Sequence, residues 1–362
     1  MLGSFRTFLL FLFAAALSAA VSSADAPLQE ITGKTMGTSY CVKIAGIIGT
    51  AKKRQSLADA LQAELDSIDN KMSTYKPESE VCRFNAFRQV NTWFPVSPQT
   101  AEVVQTSIKI SKITDGAFDI TVAPLVDLWG FGAKKTNKPL ATLIAESAKL
   151  KERIGYQKLS VRMNPPALKK TLPDLSIDLS AVAKGYAVDK VSALLDRFSY
   201  KNYMIEVGGE IRCRGQKIPD RKITDNDAAE DWVIGIEKPV SSAGTEVQTA
   251  VPLRNKSMAT SGNYRQQHII DGKRVSHFID PRTGLPAHFS SQDLERSFSE
   301  YVFVSVSVIT DDCMTADAWA TALSVLSEQE SGALITLQQG LAVLFIHHSK
   351  KGTSKTGYRW KE

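Results

Sequence analysis

The stretch that most constrains the fold is Leu175 to Asp189, LSIDLSAVAKGYAVD. Apolar Leu175, Ile177 and Leu179 alternate with Ser176, Asp178 and Ser180, the period of a half-buried strand. The period then changes. Ala187, Val191, Leu194, Leu195 and Phe198 recur at helical spacing, so the chain passes from strand to helix within a few residues. Ser180 is the predicted N-cap, which puts Lys184 near the first turn. A helix start presents unpaired N–H groups and the positive dipole end, and a lysine there adds a full charge, which suits a phosphate. An ordinary strand-to-helix junction with a solvated lysine fits the same residues.

The rest of the chain alternates strands and helices irregularly, which favours mixed α/β or α+β layers over a doubly wound sheet. Ile31 to Ile44 reads as a strand interrupted at Met36-Gly37-Thr38, and Leu57, Leu61, Leu65, Ile68 and Met72 make a helical stripe. Ser79 is the predicted cap of a short helix ending near Asn85, and Tyr75 lies on the loop before it. After a helix over Thr100 to Thr114 comes DGAFDITVAPLVDLWGFG, where Phe118, Trp129 and Phe131 are interleaved with glycines. This segment can wall a flat ring or pack beneath a core. It is not a dinucleotide fingerprint, because no strand feeds Gly130-Phe131-Gly132. Tyr203 to Cys213 is predicted as a strand with Gly208-Gly209 in its middle, and Asn164 to Pro173 as a turn. Lys222 to Asp231 is a polar surface loop, and Tyr301 to Ile309 a strongly β-branched strand. His277 opens a strand that runs into Asp-Pro-Arg-Thr-Gly. It can be structural or chemical. Cys313 to Leu326 is a helix apolar nearly all round, yet Asp317 and Thr321 share one face. A buried aspartate needs a cation or hydrogen-bond donors, and carboxylate plus hydroxyl is a donor set that suits magnesium. A hydrogen bond from Asp317 to a neighbouring helix start is the other reading.

The 362 residues suit one large or two interlocked domains. Hydrophobic residues at 43% and charged residues at 23% fit a globular chain. The net charge of +6 is scattered in pairs and triplets with no basic aromatic face, which argues against nucleic acid. At the N-terminus, Arg6 precedes FLLFLFAAALSAAV and a run of small residues, a secretory signal pattern over residues 1–24 with cleavage expected near Ala20 or Ala24. No cysteine lies there for a lipid anchor. The expected location is the periplasm, where disulfides form, although Cys41, Cys82, Cys213 and Cys313 show no metal-type spacing. P-loop, GxSxG and HExxH motifs are absent.

A collinear set of motifs resembles one family. It comprises MGTSY from Met36, MSTY from Met72 with FN at Phe84, DGAFDITVAPLVDLWGFG from Asp115 and IDLSAVAKGYAVD from Ile177. EVGGEIRCRG from Glu206, ATSGNYR from Ala259, HFIDPRTGLP from His277 and ADAWATAL from Ala316 complete it. Together they resemble the ApbE flavin transferases over residues 28–362. The resemblance implies an α+β, T-fold-like architecture with flavin between its layers. It also implies magnesium-dependent cleavage of FAD, with FMN passed through its phosphate to a threonine or serine hydroxyl of a target protein and AMP released. Implied acceptors are flavin-carrying subunits of membrane redox complexes. Implied flavin-nucleotide contacts are Met36, Tyr75, Ala117, Phe118, Asp119, Asp178, Lys184 and Ile279. Implied magnesium ligands are the Ala181 carbonyl, Asp317 and Thr321. Some relatives carry a second aspartate where this chain has Ala320. Lys184 would assist the leaving phosphate, and His277 is the expected general base. The alternatives are an FAD pyrophosphatase giving FMN and AMP, a periplasmic FAD-binding protein without turnover, and a structural domain.

Overall fold

Alternating apolar runs build a single large antiparallel sheet, and the helical stripes supply the layer that covers it. The computed structural model describes residues 28–132, 135–217, 230–239, 246–264, 266–287, 303–349 and 352–361. The leader, most of the Lys222 to Asp231 loop, Arg265 and Tyr301 lie outside the described residues. The first half contains β1 (Leu28–Thr35), β2 (Thr38–Ala45), α1 (Ala51–Met72), α2 (Glu80–Ala86), β3 (Phe94–Pro95) and α3 (Pro98–Ile113). It continues with α4 (Ala123–Leu128), α5 (Leu140–Leu150), β4 (Leu159–Met163), β5 (Pro166–Lys170) and α6 (Ala183–Arg197). Next come β6 (Tyr203–Val207), β7 (Glu210–Arg214), β8 (Trp232–Glu237), β9 (Val247–Leu253) and β10 (Lys256–Gly262). Short strands β11 (Gln267–Ile270), β12 (Lys273–Ser276), β13 (Ile279–Asp280) and β14 (Leu285–Pro286) follow. The chain closes with β15 (Phe303–Thr310), α7 (Cys313–Val325), α8 (Glu328–Leu337), β16 (Ala342–Ser349) and β17 (Gly352–Tyr358).

The main sheet runs β1-β2-β6-β7-β10-β15-β16-β17, every pair antiparallel. Helices α1, α6 and α7 cover one face, and α3 packs behind α7. The β8–β9 ribbon covers the other face through Trp232, Ile234, Ile236, Val251 and Leu253. Strand β16 shows how one sequence serves both faces: Val343 and Phe345 join the helical core, while Leu344 and Ile346 join the ribbon. The α1 stripe of Leu57, Leu61, Leu65, Ile68 and Met72 is buried as its spacing predicts, and each such side chain contributes roughly 1.5–3 kcal/mol of burial. A third apolar cluster joins Leu125, Trp129, Leu140, Leu143, Ile154, Ile270, Val275 and Ile279. This mixed α/β arrangement is the one the sequence predicts.

Several local expectations are corrected. Ile31 to Ile44 is a hairpin rather than one interrupted strand, because Met36 (φ 49°) and Gly37 (φ 72°) form a two-residue turn. Tyr203 to Cys213 is likewise a hairpin, turning at Gly208 (φ 60°) and Gly209 (φ 104°). Asn164 to Pro173 contains β5, which pairs with β4, and β17 forms one edge of the main sheet. Ser180 does not cap α6. Its N–H donates to Asp178 Oδ1 at 2.8 Å, and the resulting turn delays the helix to Ala183. All four cysteines are free. Among the described residues, no helix is long and apolar enough to cross a membrane.

Candidate active site

Lys184 is the second residue of α6, and its ammonium lies among oxygens. It donates to the Ser180 carbonyl at 3.1 Å and stands 3.4 Å from Glu210 Oε1 and 3.9 Å from Asp317 Oδ2. Burial opposes the ammonium, but the carboxylates of Asp317 and Glu210 outweigh that cost and hold the Lys184 pKa above its ordinary value. Burial in turn raises the carboxyl groups of Asp317 and Glu210, with Lys184 pulling both back. Asp317 is 2% exposed.

Two turns of the main sheet meet this lysine. A Cβ placed on Gly208 would lie 3.2 Å from Lys184 Cδ and 2.8 Å from Thr38 Cγ2. Gly208 therefore packs between the Lys184 stem and Thr38, the residue that follows the Met36–Gly37 turn. Met36 holds a left-handed conformation uncommon for a residue with a side chain, and such outliers concentrate at functional sites.

The segment before α6 brings in a second group. Leu175 to Leu179 alternates in burial as predicted but joins no sheet. Its backbone is satisfied by a side chain: Ile177 N–H donates to Asn85 Oδ1 at 2.8 Å, and Asn85 Nδ2 donates to the Ile177 carbonyl at 2.9 Å. Asp178 N–H donates to the Ile120 carbonyl at 2.8 Å, which places Asp178 beside the Ala117 to Asp119 stretch. Phe118 and Ala117 are buried in the main core. Asp119 uses its carboxylate locally. It accepts from the Thr121 N–H and hydroxyl, both at 2.8 Å, and from Tyr156 N–H at 2.7 Å. Its contribution to a ligand is thus confined to the backbone or to an exchange of these bonds. Tyr75 is 69% exposed on the loop after α1.

The Asp-Pro-Arg-Thr-Gly turn is pinned from two sides. Trp129 Nε1 donates to the Gly284 carbonyl and to Ser147 Oγ, both at 3.1 Å, and Arg282 spans Asp280 and Glu330. Trp129 is therefore core. Of the three aromatics in its segment, Phe131 alone is partly exposed, and its ring stacks on His268 at 4.4 Å. His277 meets the edge of Phe131 at 6.2 Å, and Ile279 is buried beneath in the third cluster. His277 Nδ1 lies 3.1 Å from the Gln266 carbonyl, which only accepts, so Nδ1 is a donor there.

The family assignment rests on the whole chain. Residues 36–345 match the model of the ApbE family. The chain belongs to that family. A Haemophilus influenzae protein named FAD:protein FMN transferase is 36% identical, over 94% of this chain and 92% of that protein. An Escherichia coli K12 protein of the same name is 38% identical, over 90% of this chain and 85% of that protein. The solved ApbE flavin transferase of Vibrio cholerae superposes with a TM-score of 0.75 at 35% identity, covering 92% of this chain and 98% of that one.

In this ApbE-family chain, the oxygens around Lys184 fit a magnesium ion. Gly185 is the third residue of α6, so its N–H has no partner within the helix; it donates instead to Asp317 Oδ2 at 3.0 Å. Ala181, half-buried, lies on the turn just ahead of the helix. Thr321 lies one turn beyond Asp317 on α7, half-buried. Glu210 Oε2 is buried without a hydrogen-bond partner. Among the described residues, no cluster of three His, Cys, Asp or Glu side chains is placed to hold a metal. Magnesium does not require one, because it takes carbonyl, hydroxyl, water and phosphate oxygens alongside one or two carboxylates.

Four residues escaped the sequence reading as site residues. Glu210 and Asn85 lay within motifs without a role. Gly185 carried a signal, because glycine inside a helix costs about 1 kcal/mol relative to alanine and implies a close approach. Lys170 is wholly buried and donates to the carbonyls of Phe84, Asn85 and Leu175, tying the end of α2 to the segment before Asp178. In sequence it resembled one lysine of a polar turn.

Proposed function

We propose that this chain transfers FMN from FAD to a serine or threonine hydroxyl of an acceptor protein, releasing AMP. The supporting observation is the convergence of Lys184, Asp317 and the Ser180–Gly185 turn on the end of the sheet, in a chain whose relatives are named for that reaction. The Ala181 carbonyl, the Asp317 carboxylate and the Thr321 hydroxyl would hold a divalent cation. Such an ion, when bound, neutralises charge on the pyrophosphate and makes AMP a better leaving group.

The chain's own residues supply position and proton handling. Lys184 presents a permanent positive charge to the phosphates, and phosphoryl transfer depends chiefly on such positioning and charge neutralisation. His277 Nε2 takes the acceptor hydroxyl's proton as its oxygen forms a bond to the FMN phosphorus. The bond from that phosphorus to the bridging oxygen breaks, and AMP keeps that oxygen. Met36, Tyr75, Ala117, Phe118, Asp119, Asp178 and Ile279 line the path of the FAD. The leader directs the protein to the periplasm, where the acceptors are flavin-carrying subunits of membrane redox complexes.

The experiment is incubation with FAD, magnesium and a purified acceptor domain. Flavin that stays on the acceptor through denaturation, with one AMP per flavin, is the expected result. Free FMN as the sole flavin product would instead assign a pyrophosphatase.

A further inference from the structure

Glu210, the first residue of β7, has no role in the reaction described above. Its Oε1 stands 3.4 Å from Lys184 Nζ, while its Oε2 is buried and has no hydrogen-bond partner. An unsatisfied buried polar atom is costly and rare in a folded chain, more so on a carboxylate. Lys184 does not relieve it, because its ammonium approaches the other oxygen, Oε1. A single ammonium thus faces two buried carboxyl groups. An oxygen so placed is explained if its donor arrives with a cation.

We infer that Glu210 positions the divalent cation from outside its inner coordination sphere. Its Oε2 accepts a hydrogen bond from a water on that cation, and its Oε1 retains Lys184 when Asp317 turns its charge to the metal. Three protein oxygens leave open positions on magnesium, which keeps several waters, so a water donor is available. Glu210 lies next to Gly209 in the turn that touches the Lys184 stem, so its backbone is fixed where the lysine is. The inference rests on the cation site of the proposed function.

Calorimetric titration of magnesium into the flavin-free full chain tests it without turnover. The wild-type protein should bind, Asp317→Ala should not, and Glu210→Gln should bind on the order of 10-fold more weakly, the lower end of outer-shell effects. The same loss should appear when Glu210→Gln is placed on a Lys184→Met background. The double variant removes both charges of the pair and keeps the test open should the single replacement unfold the chain. If Glu210→Gln binds magnesium like wild type while Asp317→Ala does not, Glu210 is no cation partner and the cation site stands. If the loss vanishes on the Lys184→Met background, Glu210 serves the lysine alone and the inference is overturned. If Asp317→Ala binds as wild type does, the cation site itself is wrong, and the role of Glu210 falls with it.

Discussion

Gly185 and Asp317 meet where α6 crosses α7: the Gly185 N–H donates to Asp317 Oδ2 at 3.0 Å, with no room between them for a side chain. A Cβ on Gly185 would stand 2.3 Å from the Cys313 carbonyl oxygen and 2.8 Å from Asp317 Cβ. The first obstacle is backbone, which cannot rotate away. Gly185→Ala should therefore destabilise the protein by about 3 kcal/mol, the upper part of the range for overpacking. Urea denaturation measures it, and a midpoint unchanged from wild type would show that the helices separate freely.

Asp317 has two separable tasks, accepting the Gly185 N–H and supplying charge. Asp317→Asn keeps an acceptor of the same shape and should fold with near-normal stability, yet lose at least 100-fold in flavin transfer. Asp317→Ala also leaves a buried N–H unpaired, at a further cost of about 1–3 kcal/mol. Thermal melts and transfer assays on the two variants separate these effects.

His277 contacts Phe131 and Phe278 by its ring and Gln266 by Nδ1, three residues apart from the Lys184 cluster. His277→Ala should lower turnover by about 10²–10⁴, the usual range for a lost general base, with FAD affinity unchanged. Equal loss of affinity and turnover would make His277 a binding residue.

Asp189 holds the start of α7, accepting from the Cys313 and Met314 N–H groups at 2.9 Å each. Burial nevertheless pushes its carboxyl up to about 6. The folded state then holds a proton that the unfolded state has released between about pH 4 and 6, so ionisation costs stability as pH rises through this window. Relative to Asp189→Asn, the wild-type protein should lose on the order of 3 kcal/mol across it. Parallel stability curves for the two proteins would contradict the assignment.

Much of this architecture was legible because periodicity reports burial. The α1 stripe, the cap at Ser79 and the buried α7 follow directly from spacing. Burial is all that spacing reports, and this is why Leu175 to Leu179 resembled a strand: its alternation is real, but its backbone partners are Asn85 and Ile120 rather than a neighbouring strand. Met36-Gly37 reads in the sequence as an interruption within one strand, because Met36 gives no sign of the positive φ it adopts. Asp317 and Thr321 were visible as a pair on one helix face. Glu210 was not, because its importance depends on β7 lying beside α6, a long-range relationship without a local signature.

The central claim is that a divalent cation held between α7 and the turn before α6 drives cleavage of FAD. AMP release from FAD, in the presence of acceptor and with or without magnesium, tests it most directly when wild type and Asp317→Ala are run side by side. Magnesium-dependent AMP is expected from wild type and almost none from the variant. Full activity of Asp317→Ala, or wild-type release that persists in a chelator, would contradict it.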